Sequence, residues 1–322
     1  MRILITGGAG FIGSHLADVL LREGHRVTVV DDLSTGKERN IAHHEGDDLL
    51  FFVEGGILDE ALMERLVGES DMVYHLAALV GVKYVVDDPL KCITTNVQGT
   101  ERVLALAHCY SVRVLFASTS EVFGRNPRLP WREDDDRVLG STRIARWSYA
   151  TAKALDEHLC FAYHALGLPV SIVRYFNAYG PRLDPDGYGS VIAKFIGQAL
   201  RGEPLTVHGD GQQTRCFTYV GDSVRGTVLA GMSRAALGEA FNIARQEEVT
   251  ILDLADTIIS LAGSSSEIRM IPYAEAYGPG FEDTSRRLPD VSKAERMLGF
   301  VAAVPLEEGL RKTITWFRGR GS

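Results

Sequence analysis

Short apolar runs alternate with longer stretches of helical periodicity through the first half of the chain. Arg2–Thr6 reads as a buried strand and runs into a glycine-rich turn, Gly7 to Gly13. Phe11–Glu23 follows as a helix pattern closed by Gly24. Val27–Val30 is a second strand, ending in Asp31-Asp32. Leu50–Val53, Met72–His75, Val112–Ser118 and Val170–Tyr175 read as further strands, with helix patterns between them, notably Thr95–His108 and Tyr149–Leu166. Strands alternating with helices predict parallel pairing and right-handed crossovers. The fold class expected is α/β, a doubly wound parallel sheet with helices on both faces.

Beyond residue 176 the pattern changes. The stretch from Tyr179 to Gly189 is rich in turn residues. Helix Val191–Leu200, strand Leu205–His208 and the turn Gly209-Asp-Gly211 come next. Helix Asp222–Met232 and strand Ala240–Ile243 are expected to rejoin the first unit, while helices Ile251–Leu261 and Leu306–Phe317 belong to a second. This divides the chain into a nucleotide-binding domain, residues 1–176 and 212–245, and a smaller α/β substrate subdomain, residues 177–211 and 246–322. The chain shows no internal repeat and no low-complexity linker, so the two units should interleave. A ligand crevice is expected between them, at the carboxyl ends of the parallel strands.

Composition narrows the function classes. Hydrophobic residues make up 45% and charged residues 24% of the 322, the balance of an ordinary globular protein. The formal net charge of −8 disfavours a broad basic face for nucleic acid, though it leaves room for local basic pockets. No apolar stretch approaches the roughly 20 residues of a membrane helix, and the run at Met1–Gly7 is too short for a signal peptide. The cytoplasm is the expected address. Cys92, Cys109, Cys160 and Cys216 are widely spaced and form no CxxC pair, so reduced thiols are expected, with no disulfide framework and no metal site.

The strongest local signal is Gly7-Gly-Ala-Gly10-Phe-Ile-Gly13, because it follows a strand and opens a helix. Gly7 permits the tight turn, Gly10 lets backbone approach a pyrophosphate at the helix N-terminus, and Gly13 lets the helix pack on the strand. Asp31, at the end of the next strand, can accept hydrogen bonds from an adenine ribose, and its charge opposes a 2′-phosphate. NAD is therefore favoured over NADP, with Lys37 and Arg39 nearby as the opposing signal. A second signal is Tyr149-Ala-Thr-Ala-Lys153: on a helix the phenol and ammonium share a face, and the cation would lower the phenol pKa and make Tyr149 a base. Alone this spacing is more often packing and solvation; the glycine turn gives it weight. Ser118-Thr-Ser-Glu121 lies just past a strand, where this fold puts its chemistry. Thr119 can bond a substrate oxygen beside Tyr149, and Glu121 can act as acid or base, or serve only as a cap.

These residues, together with His75-Leu-Ala-Ala78, Asn96-Val-Gln-Gly-Thr100, Arg174-Tyr-Phe-Asn177, Tyr179-Gly-Pro-Arg182, Gln213-Thr-Arg-Cys-Phe-Thr218 and Arg287-Leu-Pro-Asp290, resemble the extended short-chain dehydrogenase/reductases, in particular the NAD-dependent nucleotide-sugar epimerase/dehydratase group. The resemblance spans essentially the whole chain and implies a Rossmann sheet. It implies Tyr149 as the base for the sugar 4-OH, Lys153 on the nicotinamide ribose, and Thr119 on the 4-oxygen, with the C4 hydride passing to NAD. It implies cofactor contacts from Gly7, Gly10, Phe11, Ile12, Gly13, Asp31, Asp32, Ser34, Ile57, Leu76, Ala77, Ala78, Asn96, Tyr149, Lys153 and Tyr175. Substrate contacts would come from Asn177, Arg182, Val191, Arg215 and Arg287, an Arg fork being suited to diphosphate or carboxylate. One departure is Gly55-Gly56-Ile57, where the family often has an acid that binds adenine.

Members that dehydrate the sugar carry Thr-Asp-Glu here, and this chain has Ser120 in place of the acid. A serine hydroxyl is too weak an acid to protonate a departing 6-hydroxyl. Thr119-Ser-Glu121, Arg146-Trp-Ser-Tyr149, Gly280-Phe-Glu-Asp283 with Arg287, and Val304–Leu310 resemble the UDP-glucuronate decarboxylases instead. Oxidation at C4 of a glucuronate puts a ketone β to the C6 carboxylate, which then leaves as CO2; Glu121 would assist carboxylate loss or C5 protonation. The expected product is UDP-xylose, or a released UDP-4-keto-pentose if hydride return fails. A UDP-sugar 4-epimerase is the alternative within the family, and a cofactor-binding scaffold without turnover is the alternative outside it. The two long helices carry apolar faces (Val97, Leu104, Ala107; Leu155, Leu159, Ala162), and the resemblance implies a homodimer that pairs them, with burial inside the monomer as the other reading.

Overall fold

The computed structural model describes residues 1–81, 87–184, 190–277 and 284–319. Six strands of the first half are β1 (Arg2–Thr6), β2 (Arg26–Asp31), β3 (Leu50–Glu54), β4 (Met72–His75), β5 (Arg113–Thr119) and β6 (Val170–Tyr175). With the later strand Ala240–Ile243 they form one sheet, in the order Ala240–Ile243, β6, β5, β4, β1, β2, β3. Every pairing in it is parallel. The order runs outward in both directions from the β1–β4 boundary, which makes that boundary the switch point where a crevice opens.

The strands read as apolar runs because helices cover both faces of the sheet. On one face Leu16 and Leu20 of helix Phe11–Arg22 and Val224 of helix Val220–Met232 pack against Ile3, Ile5, Tyr74 and Phe241. On the other, Met63 of helix Glu60–Gly68, Val103 and Leu104 of helix Pro89–Cys109, and Cys160 of helix Arg146–Ala165 pack against Leu4, Val73, Phe116 and Ile172. A separate core joins helices Val191–Arg201, Ile251–Ala262 and Leu306–Arg318 through Phe195, Ile196, Leu254, Ile258 and Ile314. Three small two-stranded pairings accompany it: Ala178–Tyr179 with Thr218–Tyr219, Thr214–Cys216 with Glu248–Thr250, and, within it, Leu205–His208 with Ile268–Ile271. Most of these segments are too short to carry a period-2 signal, so only Leu205–His208 is readable in advance.

Element ends differ from expectation for local reasons. The helix expected from Thr95 begins at Pro89, where the Asp88 side chain accepts the Lys91 N–H at 3.0 Å. Proline at the first helical position fits that start. The helix expected from Tyr149 begins at Arg146, and β5 continues one residue further, to Thr119. Two of the residues expected on an exposed apolar face, Leu104 and Ala107, lie in the monomer core, and Leu159 packs partly against it. The large apolar side chains these two helices leave exposed are Leu90, Ile93, Leu155 and Phe161.

At the carboxyl end of β4, His75 is buried, with Nδ1 2.7 Å from Thr6 Oγ1 and Nε2 3.1 Å from Thr100 Oγ1. Burial, with the Lys153 charge adding to it, holds the imidazole neutral and brings its pKa down to about 3. His15 is likewise brought down to about 4 by burial and then by Arg182. In the unfolded chain both rings protonate near pH 6.5. Below that pH the unfolded chain binds protons that the native state refuses. The stability these neutral rings contribute is therefore whole above pH 6.5 and is lost as pH falls toward 4, at about 1.4 kcal/mol per pH unit for each ring. His75→Gln should fall less steeply in unfolding free energy between pH 6.5 and 5, by about one proton, in urea titrations. An unchanged slope would remove His75 as a source of acid sensitivity.

Candidate active site

A crevice of about 730 Å³ opens between the glycine turn, the end of β5 and the segment Asn177–Asp184. The turn follows β1 directly. Gly7 has φ +70°, and a Cβ there would come within 2.8 Å of the Ala77 backbone. A Cβ on Gly13 would stand 2.4 Å from the Gly7 carbonyl oxygen, so only glycine lets the helix lie against the turn. Gly10 precedes helix Phe11–Arg22 and offers no side-chain cap, so the first helical N–H groups are left for a ligand. Gly10, Phe11 and Ile12 line the crevice. This cradle fits a dinucleotide pyrophosphate.

Asp31 closes β2 and also lines the crevice. Its Oδ2 accepts the Ala9 N–H at 3.0 Å and its Oδ1 the Leu33 N–H at 2.9 Å. Burial raises its pKa and those backbone bonds oppose the rise. The carboxylate expected for the ribose thus also braces the glycine turn. Asp32 Oδ1 accepts from the Ser34 N–H and hydroxyl. A Cβ on Gly56 would meet nothing closer than the Asp32 side chain, at 3.9 Å. Asp32 is therefore the acid nearest the place where the family often carries its own.

Arg182 lines the crevice and is held by Asp18 of the glycine-turn helix, whose Oδ2 lies 2.7 Å from Arg182 Nη2. His43 and His44 both approach Asp18 Oδ1, at 2.9 and 2.8 Å. These three side chains bring donor atoms within 4.8 Å of one another. The Arg182 guanidinium already supplies the positive charge that a metal would bring. His15 Nε2 lies 2.9 Å from the Pro181 carbonyl, and Lys37 pairs with Asp184. Segment 181–184 is thereby tied to the glycine-turn helix and to the loop after β2.

The chemistry lies at the end of β5. Thr119 Oγ1 accepts the Glu121 N–H at 3.2 Å, and the Tyr149 phenol stands beside Thr119 on the crevice wall. Arg287 Nη1 donates to Glu121 Oε1 at 2.9 Å, and Arg146 Nη2 lies 4.0 Å from the same oxygen. Thr119, Ser120, Glu121, Arg146, Tyr149, Asn177 and Arg287 all line the crevice. Arg146, one helical turn before Tyr149, is a site residue that the spacing arguments did not single out. Burial pushes the Tyr149 phenol pKa up, the Glu121 carboxylate adds to that, and the Thr119 side chain opposes it.

Four expected residues stand outside the crevice wall. Lys153 is buried behind it, with Nζ 3.7 Å from Asp156 and 3.8 Å from the Phe116 ring centroid. Burial lowers its pKa and Asp156 opposes that. Burial is the largest influence on the phenol, and the Lys153 ammonium is engaged by Asp156, one turn further along. Asn96 spends its amide on the Leu79 backbone, accepting at 2.8 Å and donating at 3.1 Å. Arg215 donates to the Thr214 and Ser285 carbonyls. Val191 opens its helix and packs on the second core. Asn177, held at φ 36°, donates to the Cys216 carbonyl at 3.2 Å. Of the other expected contacts, Ile57, Leu76, Ala77, Ala78 and Tyr175 lie on the wall. Residues 280–283, which carry part of the resemblance, lie outside the described residues.

A dinucleotide cradle leading to a phenol, a hydroxyl and a carboxylate held between two guanidiniums defines a cofactor-dependent site for chemistry at a carbinol carbon. The chain belongs to the NAD dependent epimerase/dehydratase family, whose model matches residues 3–244. Its cofactor is NAD. It is 47% identical over 317 residues to the UDP-N-acetyl-alpha-D-glucosaminuronate decarboxylase of Bacillus cytotoxicus, covering 98% of each chain. It is 42% identical to UDP-glucuronic acid decarboxylase 1 of Danio rerio, covering 98% of this chain and 72% of that one. Among solved structures, the UDP-glucuronic acid 4-epimerase of Bacillus cereus in complex with UDP-glucuronic acid and NAD superposes with a TM-score of 0.89. It is 32% identical, covering 99% of this chain and all of that one. Among the described residues no helix is long and apolar enough to cross a membrane.

The cradle makes a direct prediction. Gly13→Ala should cost about 1–3 kcal/mol of stability through overpacking against Gly7, and should weaken NAD binding at least tenfold. Fluorescence titration with NAD beside thermal unfolding checks this. Wild-type affinity would show that the turn does not hold the cofactor.

Proposed function

We propose that the chain is an NAD-dependent UDP-glucuronate decarboxylase that oxidises C4, releases the C6 carboxylate as CO2 and re-reduces C4 to give UDP-xylose. The observation that carries this reading is Glu121 between Arg287 and Arg146, beside Tyr149. The two guanidiniums at the crevice wall have the geometry to bind a second carboxylate, that of the hexuronate. The chemistry NAD supplies when bound is acceptance of hydride from C4 and its later return. Gly7, Gly10 and Gly13 cradle its diphosphate, and Asp31 and Asp32 face its ribose.

The chain's own groups do the rest. Tyr149 takes the proton of the 4-hydroxyl, and Thr119 orients the 4-oxygen. With a ketone at C4, the C5–C6 bond breaks and its electron pair moves onto the 4-oxygen. Tyr149 and Thr119 donate hydrogen bonds to that enolate as an oxyanion site does. C5 then takes a proton, with Glu121 and the guanidiniums beside it as the local acid–base set. Ser120 cannot protonate a departing 6-hydroxyl, so 4,6-dehydration is not supported.

A second substrate reading has a specific observation behind it. The 47% identical relative is named for the 2-acetamido hexuronate. Incubation with each of UDP-glucuronate and UDP-N-acetylglucosaminuronate, with CO2 and product sugar measured, decides by kcat/KM. UDP-galacturonate in place of CO2 would make the chain a 4-epimerase. Tyr149→Phe should lower kcat by at least about 10²-fold and abolish the NADH absorbance seen with substrate. Glu121→Ala should slow CO2 release; unchanged release would remove Glu121 from the mechanism.

We further infer a homodimer built on helices Pro89–Cys109 and Arg146–Ala165, whose exposed Leu90, Ile93, Leu155 and Phe161 support an apolar contact. Sedimentation at micromolar concentration should give twice the chain mass, and a monomer there overturns it. The cytoplasm fits this reading, its reducing conditions suiting four cysteines that are all unbridged.

A further inference from the structure

Behind the Tyr149–Thr119 pair, three elements converge on one carboxylate. Glu157 is buried on the Tyr149 helix, two turns beyond that residue. Ser118 of β5 and Arg174 of β6 are cross-strand partners in the sheet register. The Ser118 hydroxyl donates to Glu157 Oε1. Arg174 Nε donates to Oε1 at 2.9 Å and Nη2 to Oε2 at 2.6 Å, a two-pronged grip. Arg174 Nη1 donates to the Glu133 carbonyl at 2.9 Å, and the guanidinium lies 4.8 Å from the Phe123 ring centroid. All three side chains are buried.

The chain neighbours of these residues give the cluster its meaning. Thr119 comes directly after Ser118. Tyr175, directly after Arg174, turns to the other face and bonds Thr227 at 2.6 Å. Asn177 is two residues further on, at the crevice. The helix bearing Tyr149 and the two strand ends that build the wall are therefore pinned to one anion. A buried ion pair contributes little net stability compared with apolar side chains of the same shape. Its directional, bidentate geometry fixes relative position instead.

We infer that Glu157 is a positioning residue for the reaction at C4: by holding Ser118 and Arg174 to the catalytic helix, it sets the gap between the Tyr149 phenol and the Thr119 hydroxyl. This rests on the proposed function, in which these two groups share the 4-oxygen. Misplacement of about 1 Å in such a pair costs roughly 10²-fold in rate.

Two variants test it. Ser118→Ala cuts one tie without stranding a charge. It should unfold near the wild-type temperature and lower kcat about tenfold, with KM for the sugar nucleotide nearly unchanged. In a Thr119→Ala background the same substitution should have no further effect on single-turnover NADH formation, because its route runs through Thr119. Glu157→Gln should show the same split of kcat from KM, more strongly. If Glu157→Gln does not fold, Ser118→Ala decides alone. Wild-type kcat in Ser118→Ala, a loss confined to KM, or a loss that persists in full beside Thr119→Ala overturns the proposal. Tyr149→Phe separates the two layers: if it is inactive while Ser118→Ala is normal, only the positioning role falls, and if it is active, the reading of the site falls first.

Discussion

A parallel sheet covered by helices on both faces leaves its polar groups one exit, at the carboxyl ends of the strands. Everything chemical in this protein obeys that constraint. The glycine turn follows β1, Asp31 ends β2, Thr119 ends β5, and Asn177 lies just past β6. The sheet order places the β1 and β4 ends side by side at its switch point. Distance between the cofactor cradle and the catalytic hydroxyls is thus a matter of strand spacing. The loops need only be short enough to keep it.

The same constraint makes charge near the site expensive, and the charges come in compensated sets. Lys153 faces Asp156, Arg174 grips Glu157, and Glu121 stands between Arg287 and Arg146. The first two sets are sealed from the crevice and the third lines it. Burial raises Asp156 to about 6, and Lys153 opposes the rise. Such pairs do little for net stability but leave few alternative packings. The set that lines the crevice is the one whose guanidiniums can meet a substrate carboxylate.

Much of this was legible in the chain itself. Three glycines spaced between a strand and a helix state their job through sterics that any backbone must obey, and the close approaches at Gly7 and Gly13 are there. Thr119, Glu121 and Tyr149 follow from position at a strand end or on one helix face, and they meet in the crevice. Lys153 and Arg182 show the limit. Their side chains are long, and which anion captures them depends on residues far away in the chain, Asp18 in the case of Arg182. Helical spacing put Lys153 one turn from Tyr149, but Asp156 and the Phe116 ring decided where its ammonium rests. Arg146 entered only through the motif that ends in Tyr149, its place being defined by Glu121 across the crevice, and Glu157 carries no local signal, being defined by a register between two strands. The small strand pairs escaped for a simpler reason, since two or three residues hold no period.

On the proposed mechanism, catalytic power and substrate choice fall to different parts of the fold: the groups around Thr119 and Tyr149 would act on C4 and its oxygen, and those around Glu121 on the carboxylate at C6. Nothing in either set discriminates at C2, which is where the substrates named for the two decarboxylase relatives differ. A shared oxidation site can then serve epimerases and decarboxylases alike. Decarboxylation needs only one further feature: a place where the carboxylate is held while the ketone at C4 draws its electrons away.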